Sequence, residues 1–131
     1  MASIFTRIIN GEIPCYKIAE DENYFALLDI SPLVKGHTLV VPKTEVDYIF
    51  DLQPEVLAGL TAFAQRVAKA IDKAVPCQRV GVAVIGLEVP HAHVHLVPLQ
   101  SMHSINFSNP KLKLEKEEME KIAADIRARF I

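Results

Sequence analysis

Cysteine is scarce in this sequence of 131 residues, and the two that occur, Cys15 and Cys77, lie far apart. Two isolated thiols make no Cys-x-x-Cys metal motif and no disulfide framework, so we expect both to be reduced, as in cytosolic proteins. An excess of positive charge is also missing, because the formal net charge is −2, which argues against a nucleic acid polymer as partner. No run approaches the roughly 20 apolar residues of a membrane span, and the amino terminus lacks a secretory signal pattern. The sequence therefore predicts a cytoplasmic protein with no membrane partner.

Three of the five histidines stand at alternate positions, at His91, His93 and His95. Alternation with a period of two is typical of a β-strand, whose successive side chains point to opposite faces. In a helix, at about 100° per residue, the middle ring would point away from the other two. We therefore predict a strand over 91–97 with the three imidazoles on one face. The intervening apolar side chains would enter a core on the other face: Ala92, Val94 and Leu96.

The remaining pattern predicts one α+β domain that occupies residues 1–131. Short apolar runs bounded by turn residues predict four earlier strands, over residues 16–20, 24–28, 37–41 and 78–85. Apolar residues at three- and four-residue spacing predict a long central helix after Pro54 and a carboxy-terminal helix over 115–129. A short helical or turn segment is predicted at 3–10, with Ser3 as its cap. We expect a five-stranded antiparallel, meander-like sheet with two main helices.

Three neighbouring imidazoles have three ordinary explanations: a metal site, structural hydrogen bonding, or nucleophilic catalysis. Neutral imidazole is a common zinc ligand, but alternate residues of one strand lie about 7 Å apart, and ligands of one ion usually come from several elements. The sequence therefore predicts no metal and no cofactor. Structural hydrogen bonding requires a separate partner for each half-buried ring. Catalysis suits a ring held in the correct tautomer, because imidazole is largely neutral near pH 7 and its phosphoryl adduct is labile to water.

The stretch from His91 to Val97 resembles the motif of the histidine triad (HIT) family. In that motif, hydrophobic residues separate three histidines, and two further hydrophobic residues follow the third histidine. Three earlier stretches resemble the family in the same order along the chain: residues 4–14, 28–32 and 36–43. The four stretches are distributed over residues 3–99, the part of the chain that the resemblance covers, and leave 100–131 as a carboxy-terminal helical extension. The resemblance implies a HIT-like fold.

The resemblance also implies a nucleotide hydrolase or transferase that acts at the α-phosphate of nucleoside phosphoramidates or related nucleotides. His93 matches the family's nucleophile, which forms a nucleotidyl-histidine intermediate that water then cleaves. The carbonyl of His91 would hold the tautomer of His93, and His95 and His37 would donate to phosphate oxygens or to the leaving group. The implied ligand is a purine nucleotide such as AMP or GMP, whose ribose hydroxyls would donate to Asp29.

Apolar side chains are implied to form the base pocket: Ile4, Phe5, Ile8, Ile13, Ile30 and Leu39. An ordinary place in the core remains the alternative for them, as an ordinary turn residue does for Asp29. Family members pair as two-fold dimers, so the resemblance implies a homodimer that joins its sheets through the long helix and a neighbouring strand. Three apolar residues of that helix suit either the dimer or the core: Leu57, Leu60 and Val67.

The chain departs from the family pattern just before the triad. Many members have a Gly-Gln-Ser or Gly-Gln-Thr segment and an upstream Asn there, whereas Leu87 and Glu88 stand in the aligned positions here. An ionised glutamate cannot donate as a hydroxyl does, so either the backbone at Glu88 and Val89 serves the nucleotide or the leaving group differs. The departure permits a second hypothesis, a nucleotide-binding interaction protein with weak or vestigial turnover. A metal-dependent enzyme on a small β-barrel is a third.

Overall fold

The computed structural model describes residues 1–131, and its centre is a five-stranded antiparallel sheet. The strands are β1 (Lys17–Glu20), β2 (Tyr24–Leu28), β3 (Thr38–Pro42), β4 (Arg79–Ala83) and β5 (Val94–Leu99). The helices are α1 (Ile4–Ile9), α2 (Pro54–Ala74) and α3 (Lys116–Arg127), with short 3₁₀ turns at Ile49–Asp51 and Met102–Ile105. The predicted α+β class, five strands and two main helices are confirmed. None of the helices combines the length and the apolar character that crossing a bilayer requires.

The strand order departs from the predicted meander in the last two strands. The order is β1-β2-β3-β5-β4. The strand that follows α2, β4, therefore lies at the edge of the sheet, and β5 lies between β3 and β4. Local periodicity carries no information about which neighbours a strand takes, so the sequence alone could not distinguish these arrangements. The consequence for the site is direct, because β5 pairs with β3 and places His95 opposite Leu39.

The two faces of the sheet carry different layers. The larger core lies against α2 and α3, and it contains Ala92, Val94 and Leu96, as the alternation predicts. Two of the ambiguous helix residues, Leu60 and Val67, are fully buried in this core, whereas Leu57 is only partly buried beside it. On the opposite face, α1 packs over a smaller apolar cluster: Phe5, Phe25, Leu27, Leu39 and Val41. The histidines belong to this second face.

The histidine segment is only partly a strand. Strand β5 begins at Val94, so His95 lies within it while His91 and His93 precede it, which corrects the predicted strand over 91–97. The reason is that backbone groups before Val94 form hydrogen bonds outside the sheet. The Ala92 N–H donates to the Val46 carbonyl at 2.7 Å, and the His91 carbonyl accepts from the His93 ring at 2.7 Å. Neither group is then free to pair with a neighbouring strand.

Gly59 lies in the interior of α2 directly against Tyr24. A Cβ atom at this position would overlap the Tyr24 hydroxyl and lie 2.7 Å from the ring carbon that bears it. That hydroxyl donates to the Val56 carbonyl at 2.9 Å, so the ring is fixed in place. We expect Gly59→Ala to lower the free energy of unfolding by about 1–3 kcal/mol because of this overlap. The overlap should outweigh the helix propensity of alanine, which exceeds that of glycine by about 1 kcal/mol.

Urea unfolding of Gly59→Ala, Tyr24→Phe and the double variant measures this contact. Phenylalanine removes the oxygen that Cβ would overlap. The double variant should therefore lose less free energy of unfolding than the sum of the losses in the two single variants. Strict additivity, or a Gly59→Ala variant as stable as the wild type, would contradict the close packing.

Candidate active site

A cavity of about 380 Å³ opens on the face of the sheet that carries α1. Its lining is mostly apolar with a few converging polar groups, and its volume lies within the range of small-molecule sites. All nine residues predicted to bind the nucleotide line it: Ile4, Phe5, Ile8, Ile13, Asp29, Ile30, Leu39, Glu88 and Val89. His37, His93 and His95 line it too, whereas His91 lies behind them and is fully buried. Residues that are up to 91 positions apart in the predicted set thus share one cavity.

The tautomer of His93 follows from its hydrogen bond. The Nδ1 atom lies 2.7 Å from the carbonyl oxygen of His91, and a carbonyl only accepts, so Nδ1 carries the hydrogen. In the uncharged ring the Nε2 atom then keeps its lone pair. The Phe5 ring packs edge-on against His93, with 5.2 Å between the centroids, and restricts rotation of the imidazole. His93 therefore presents a fixed nitrogen lone pair on a wall of the cavity.

His37 and His95 form a directed chain of hydrogen bonds beside it. The Leu33 N–H donates to His37 Nδ1 at 3.0 Å, so the hydrogen of the neutral His37 ring is on Nε2. That Nε2 atom lies 3.0 Å from Nδ1 of His95, which accepts, so the neutral His95 ring carries its hydrogen on Nε2. The His95 ring lies 5.0 Å from that of His93 between centroids. The chain thus leaves His95 with an N–H donor beside the lone pair of His93.

Burial controls the charge of these groups. It lowers the pKa of His37 to about 4, helped by the positive charge of Lys111, and it lowers the pKa of His95 to about 4, helped by His93 and His37. Burial also raises the pKa of Asp29, although the Ser31 N–H, which donates to its Oδ1 at 2.8 Å, favours the ionised form. Near neutral pH both histidines are uncharged, which keeps the hydrogen-bond chain in the single direction described above.

Acid should destabilise the fold through these two rings. In the unfolded chain they take protons near pH 6.5, whereas in the folded protein they do so only near pH 4. Between these values the unfolded state holds more protons, so the free energy of unfolding falls as the pH decreases. Above about pH 6.5 both rings are neutral in both states, and this acid-dependent loss of stability is absent. Urea midpoints measured across this interval should give a shallower pH slope for His37→Gln than for the wild type. His103→Ala is the matched control, since His103 is exposed and lies outside the cavity, and equal slopes in all three proteins would contradict the assignment.

Phe107 and Lys111 are among the cavity residues that the sequence analysis did not predict. The Phe107 ring packs edge-on against His95, with 4.8 Å between centroids, and Lys111 Nζ donates to the Phe107 carbonyl at 2.8 Å. The Leu112 N–H donates to the Pro32 carbonyl at 2.9 Å, which ties this segment to the loop that follows Asp29. An aromatic residue and a lysine in a polar stretch gave no periodic signal, so only the tertiary structure reveals that the segment after β5 closes one side of the site.

The segment that departs from the family pattern also borders the cavity. Leu87 and Glu88 contribute to its lining, and the Leu87 side chain is 87% exposed. Neither side chain supplies a neutral hydroxyl or amide donor to the cavity. Side-chain donors elsewhere in the lining include those of His95, Lys111 and Ser31.

One group of residues has ligand atoms close enough for a metal ion. Atoms of Asp29, His37 and His95 all lie within 4.8 Å of one another, and Asp29 Oδ2 is 3.6 Å from His37 Nε2. His37 Nε2, which faces Asp29, is already engaged in a hydrogen bond with His95 Nδ1.

Comparisons with known proteins identify the family and the fold. The family model described as HIT domain matches residues 10–102. Adenosine 5'-monophosphoramidase of Schizosaccharomyces pombe is 31% identical over 133 residues, spanning 99% of this chain and 99% of that protein. An uncharacterized HIT-like protein of Mycobacterium tuberculosis is 38% identical over 103 residues, or 75% of this chain and 72% of that protein.

Among solved structures, a HIT-like protein involved in cell-cycle regulation from Bartonella henselae superimposes with a TM-score of 0.85. It is 32% identical, and the match covers 98% of this chain and 96% of that chain. The family-model match, the relatives and the shared fold together show that this chain belongs to the HIT family.

Proposed function

We propose that this protein is a nucleotide hydrolase that cleaves the bond between the α-phosphate of a nucleotide and its leaving group, with nucleoside phosphoramidates or related nucleotides as substrates. The observation that carries the proposal is the hydrogen bond from His93 Nδ1 to the His91 carbonyl, 2.7 Å long, which leaves Nε2 free beside the cavity. Relatives with the same domain include the Schizosaccharomyces pombe adenosine 5'-monophosphoramidase. The test is whether adenosine 5'-phosphoramidate is converted to AMP in a reaction that requires His93.

The reaction takes two steps on this arrangement. His93 Nε2 attacks the α-phosphorus and forms a P–N bond, while the bond from phosphorus to the leaving group breaks and the leaving amine takes up a proton from solvent water. A water molecule then attacks the same phosphorus and passes its proton to solvent, while the P–N bond to His93 breaks, which releases the nucleoside monophosphate and restores His93. The Nε2–H of His95 donates to the phosphate oxygens or to the leaving group, where it stabilises charge that develops in the transition state.

The polarity of the cavity suggests how a nucleotide lies in it. The base would pack among the apolar side chains contributed by α1, such as Ile4, Phe5 and Ile8, on one side of the cavity. The phosphate would lie at His93 and His95. Asp29 stands near the histidines, with Oδ2 3.6 Å from His37 Nε2, and its carboxylate suits the ribose hydroxyls. We propose a purine nucleotide such as AMP or GMP as the ligand.

Asp29→Asn should weaken substrate binding more than chemistry. A hydrogen bond to a charged acceptor is worth about 1.5–3 kcal/mol, so kcat/KM should fall by about 10- to 100-fold, chiefly through KM. The wild type should lose a similar factor with a 2'-deoxyribose substrate, because that substrate lacks a hydroxyl that donates to the carboxylate. Asp29→Asn should then discriminate little between the two sugars. Equal discrimination by the wild type and the variant would show that Asp29 does not contact the ribose.

A second candidate, a nucleotide-binding interaction protein with weak turnover, is favoured by one observation. Leu87 and Glu88 border the cavity where a hydroxyl or amide donor would otherwise assist the leaving group. Calorimetric titration with AMP, combined with turnover measurements, separates the candidates, because the interaction protein would bind AMP tightly and convert the phosphoramidate negligibly.

We also propose that the protein forms a homodimer through the edge strand β4. This strand pairs only with β5, and its Val82 side chain is 65% exposed. An unpaired strand edge with exposed apolar side chains invites pairing with a second copy, which would continue the sheet from one subunit to the next.

A further inference from the structure

Outside the lining of the cavity, a hydrogen-bonded network runs from the exposed carboxylate of Glu45 through buried Ser3 to buried His91. We propose that this Glu45–Ser3–His91 network positions His93, and that the hydroxyl of Ser3 is the decisive contact. The inference rests on the proposed role of His93 as the nucleophile. Ser3, Glu45 and His91 act here as positioning residues, because none of them lines the cavity.

Both nitrogens of the His91 ring have a defined partner. Its Nε2 atom lies 2.8 Å from the Pro42 carbonyl oxygen, which only accepts, so Nε2 carries the hydrogen. Its Nδ1 atom must then accept, and it lies 2.7 Å from Oγ of Ser3, which donates. Burial lowers the pKa of His91, which favours this neutral form. The ring is thus held at one end by β3 and at the other by the residue that caps α1.

Ser3 is held in turn by Glu45. The Ser3 N–H donates to Glu45 Oε1 at 2.8 Å, and the hydroxyl of Thr6 donates to the same oxygen at 2.6 Å. The Ser3 hydroxyl also accepts from the Thr6 N–H at 3.1 Å as the cap of α1. These hydrogen bonds lower the pKa of the Glu45 carboxyl, so it stays ionised well below neutral pH. The Oε1 atom of Glu45 therefore fixes the start of α1 through both Ser3 and Thr6.

The network reaches His93 by two routes. One is the backbone, because the His91 residue whose ring Ser3 fixes also supplies the carbonyl that accepts from His93 Nδ1. The other is Phe5 on α1, whose ring packs edge-on against both His91 and His93, with centroid distances of 5.6 Å and 5.2 Å. Loss of the Ser3 hydroxyl would leave a buried acceptor, His91 Nδ1, without a donor. The His91 ring and its carbonyl would then shift, and His93 would lose its fixed tautomer.

The experiment compares Ser3→Ala with two matched variants. Ser3→Thr keeps the hydroxyl, and Ser101→Ala removes the hydroxyl of another cap, which accepts from the His103 N–H at 3.2 Å and touches none of the triad. We expect Ser3→Ala to lower kcat for adenosine 5'-phosphoramidate by about 10- to 100-fold with KM little changed, since a misplaced reacting group costs rate. Ser3→Thr should recover most of that loss. Ser101→Ala should keep the wild-type kcat.

The second readout is the tautomer of His93 in the ligand-free protein, measured from its imidazole ¹⁵N chemical shifts. We expect Nδ1-protonated His93 in the wild type, Ser3→Thr and Ser101→Ala, and a mixture of tautomers in Ser3→Ala. A wild-type tautomer in Ser3→Ala would overturn the proposal even if activity falls, because the loss would then be merely structural. Equal effects of Ser3→Ala and Ser101→Ala would overturn it as well.

Glu45 provides the same test if Ser3→Ala does not fold. Glu45→Gln keeps an acceptor oxygen and should retain the His93 tautomer, whereas Glu45→Ala should shift it, and wild-type behaviour of both would overturn the proposal. The chemical shifts are read without substrate. They therefore decide the role of the network even if the His93→Ala protein turns over normally and the proposed function itself fails.

Discussion

His93→Ala should nearly abolish the conversion of adenosine 5'-phosphoramidate to AMP, lowering kcat by at least about 10³-fold. The expectation follows from the contacts of the ring. Its Nδ1–H is directed to the His91 carbonyl, its position is restricted by Phe5, and its remaining nitrogen keeps a lone pair on the wall of the cavity. Alanine removes the atom that would form the covalent bond, and no other described contact replaces it.

The measurement is the steady-state rate together with AMP affinity by calorimetry. His93→Ala should still bind AMP within about tenfold of the wild type, because the apolar residues and Asp29 remain. His103→Ala is the matched control, since it removes an exposed histidine of the 3₁₀ turn outside the cavity and should keep the wild-type rate. Normal turnover by His93→Ala would eliminate it as the nucleophile.

His95→Ala should lower kcat by about 10²- to 10³-fold, the usual cost of removing a preorganised donor from a developing negative charge. The hydrogen bonds that link Leu33, His37 and His95 make His95 such a donor. Leu33 N–H fixes the hydrogen of His37 on Nε2, this hydrogen is directed to His95 Nδ1, and the hydrogen of His95 is therefore on Nε2. Because burial lowers the pKa of His95 to about 4, the ring is neutral near pH 7 and acts as a donor without carrying a charge.

His95→Gln is the informative partner of this variant, because its amide N–H reaches a position near the lost Nε2–H. We expect it to recover at least about tenfold of the rate, as one restored hydrogen bond to a charged group would. Rates with a phosphoramidate and with a nitrophenyl ester, whose leaving group needs no proton, locate the donor. A smaller loss with the ester places the hydrogen bond at the leaving group, and equal losses place it on the phosphate. Wild-type rates for His95→Ala would contradict both positions.

The sequence predicted the local features of the site because they leave a periodic or motif signal. Alternation placed Ala92, Val94 and Leu96 in the core and His95 on the opposite face, as the structure has them. The resemblance to the HIT family predicted contacts between distant residues that periodicity could not, and every residue it assigned to the nucleotide lines one cavity. The roles of those residues remain proposals.

What the sequence did not predict depends on tertiary contacts. The start of β5 at Val94 reflects the hydrogen bond of Ala92 to Val46, a partner 46 residues earlier that no local pattern indicates. The position of β5 between β3 and β4 likewise depends on how α2 crosses the sheet. Ser3 was recognisable as a helix cap, but its contact with His91 was not, because a cap satisfies the same local rule whether or not its hydroxyl donates elsewhere.

The stereochemical course at phosphorus tests the central claim most directly. The substrate is one phosphorus diastereomer of an adenosine 5'-phosphoramidate in which sulfur replaces a non-bridging oxygen, hydrolysed in ¹⁸O-labelled water, and the measured quantity is the configuration of the product. Attack by His93 followed by attack of water inverts phosphorus twice, so the account predicts overall retention. Overall inversion would mean that water displaces the leaving group in a single step, and no bond between His93 and phosphorus would then form.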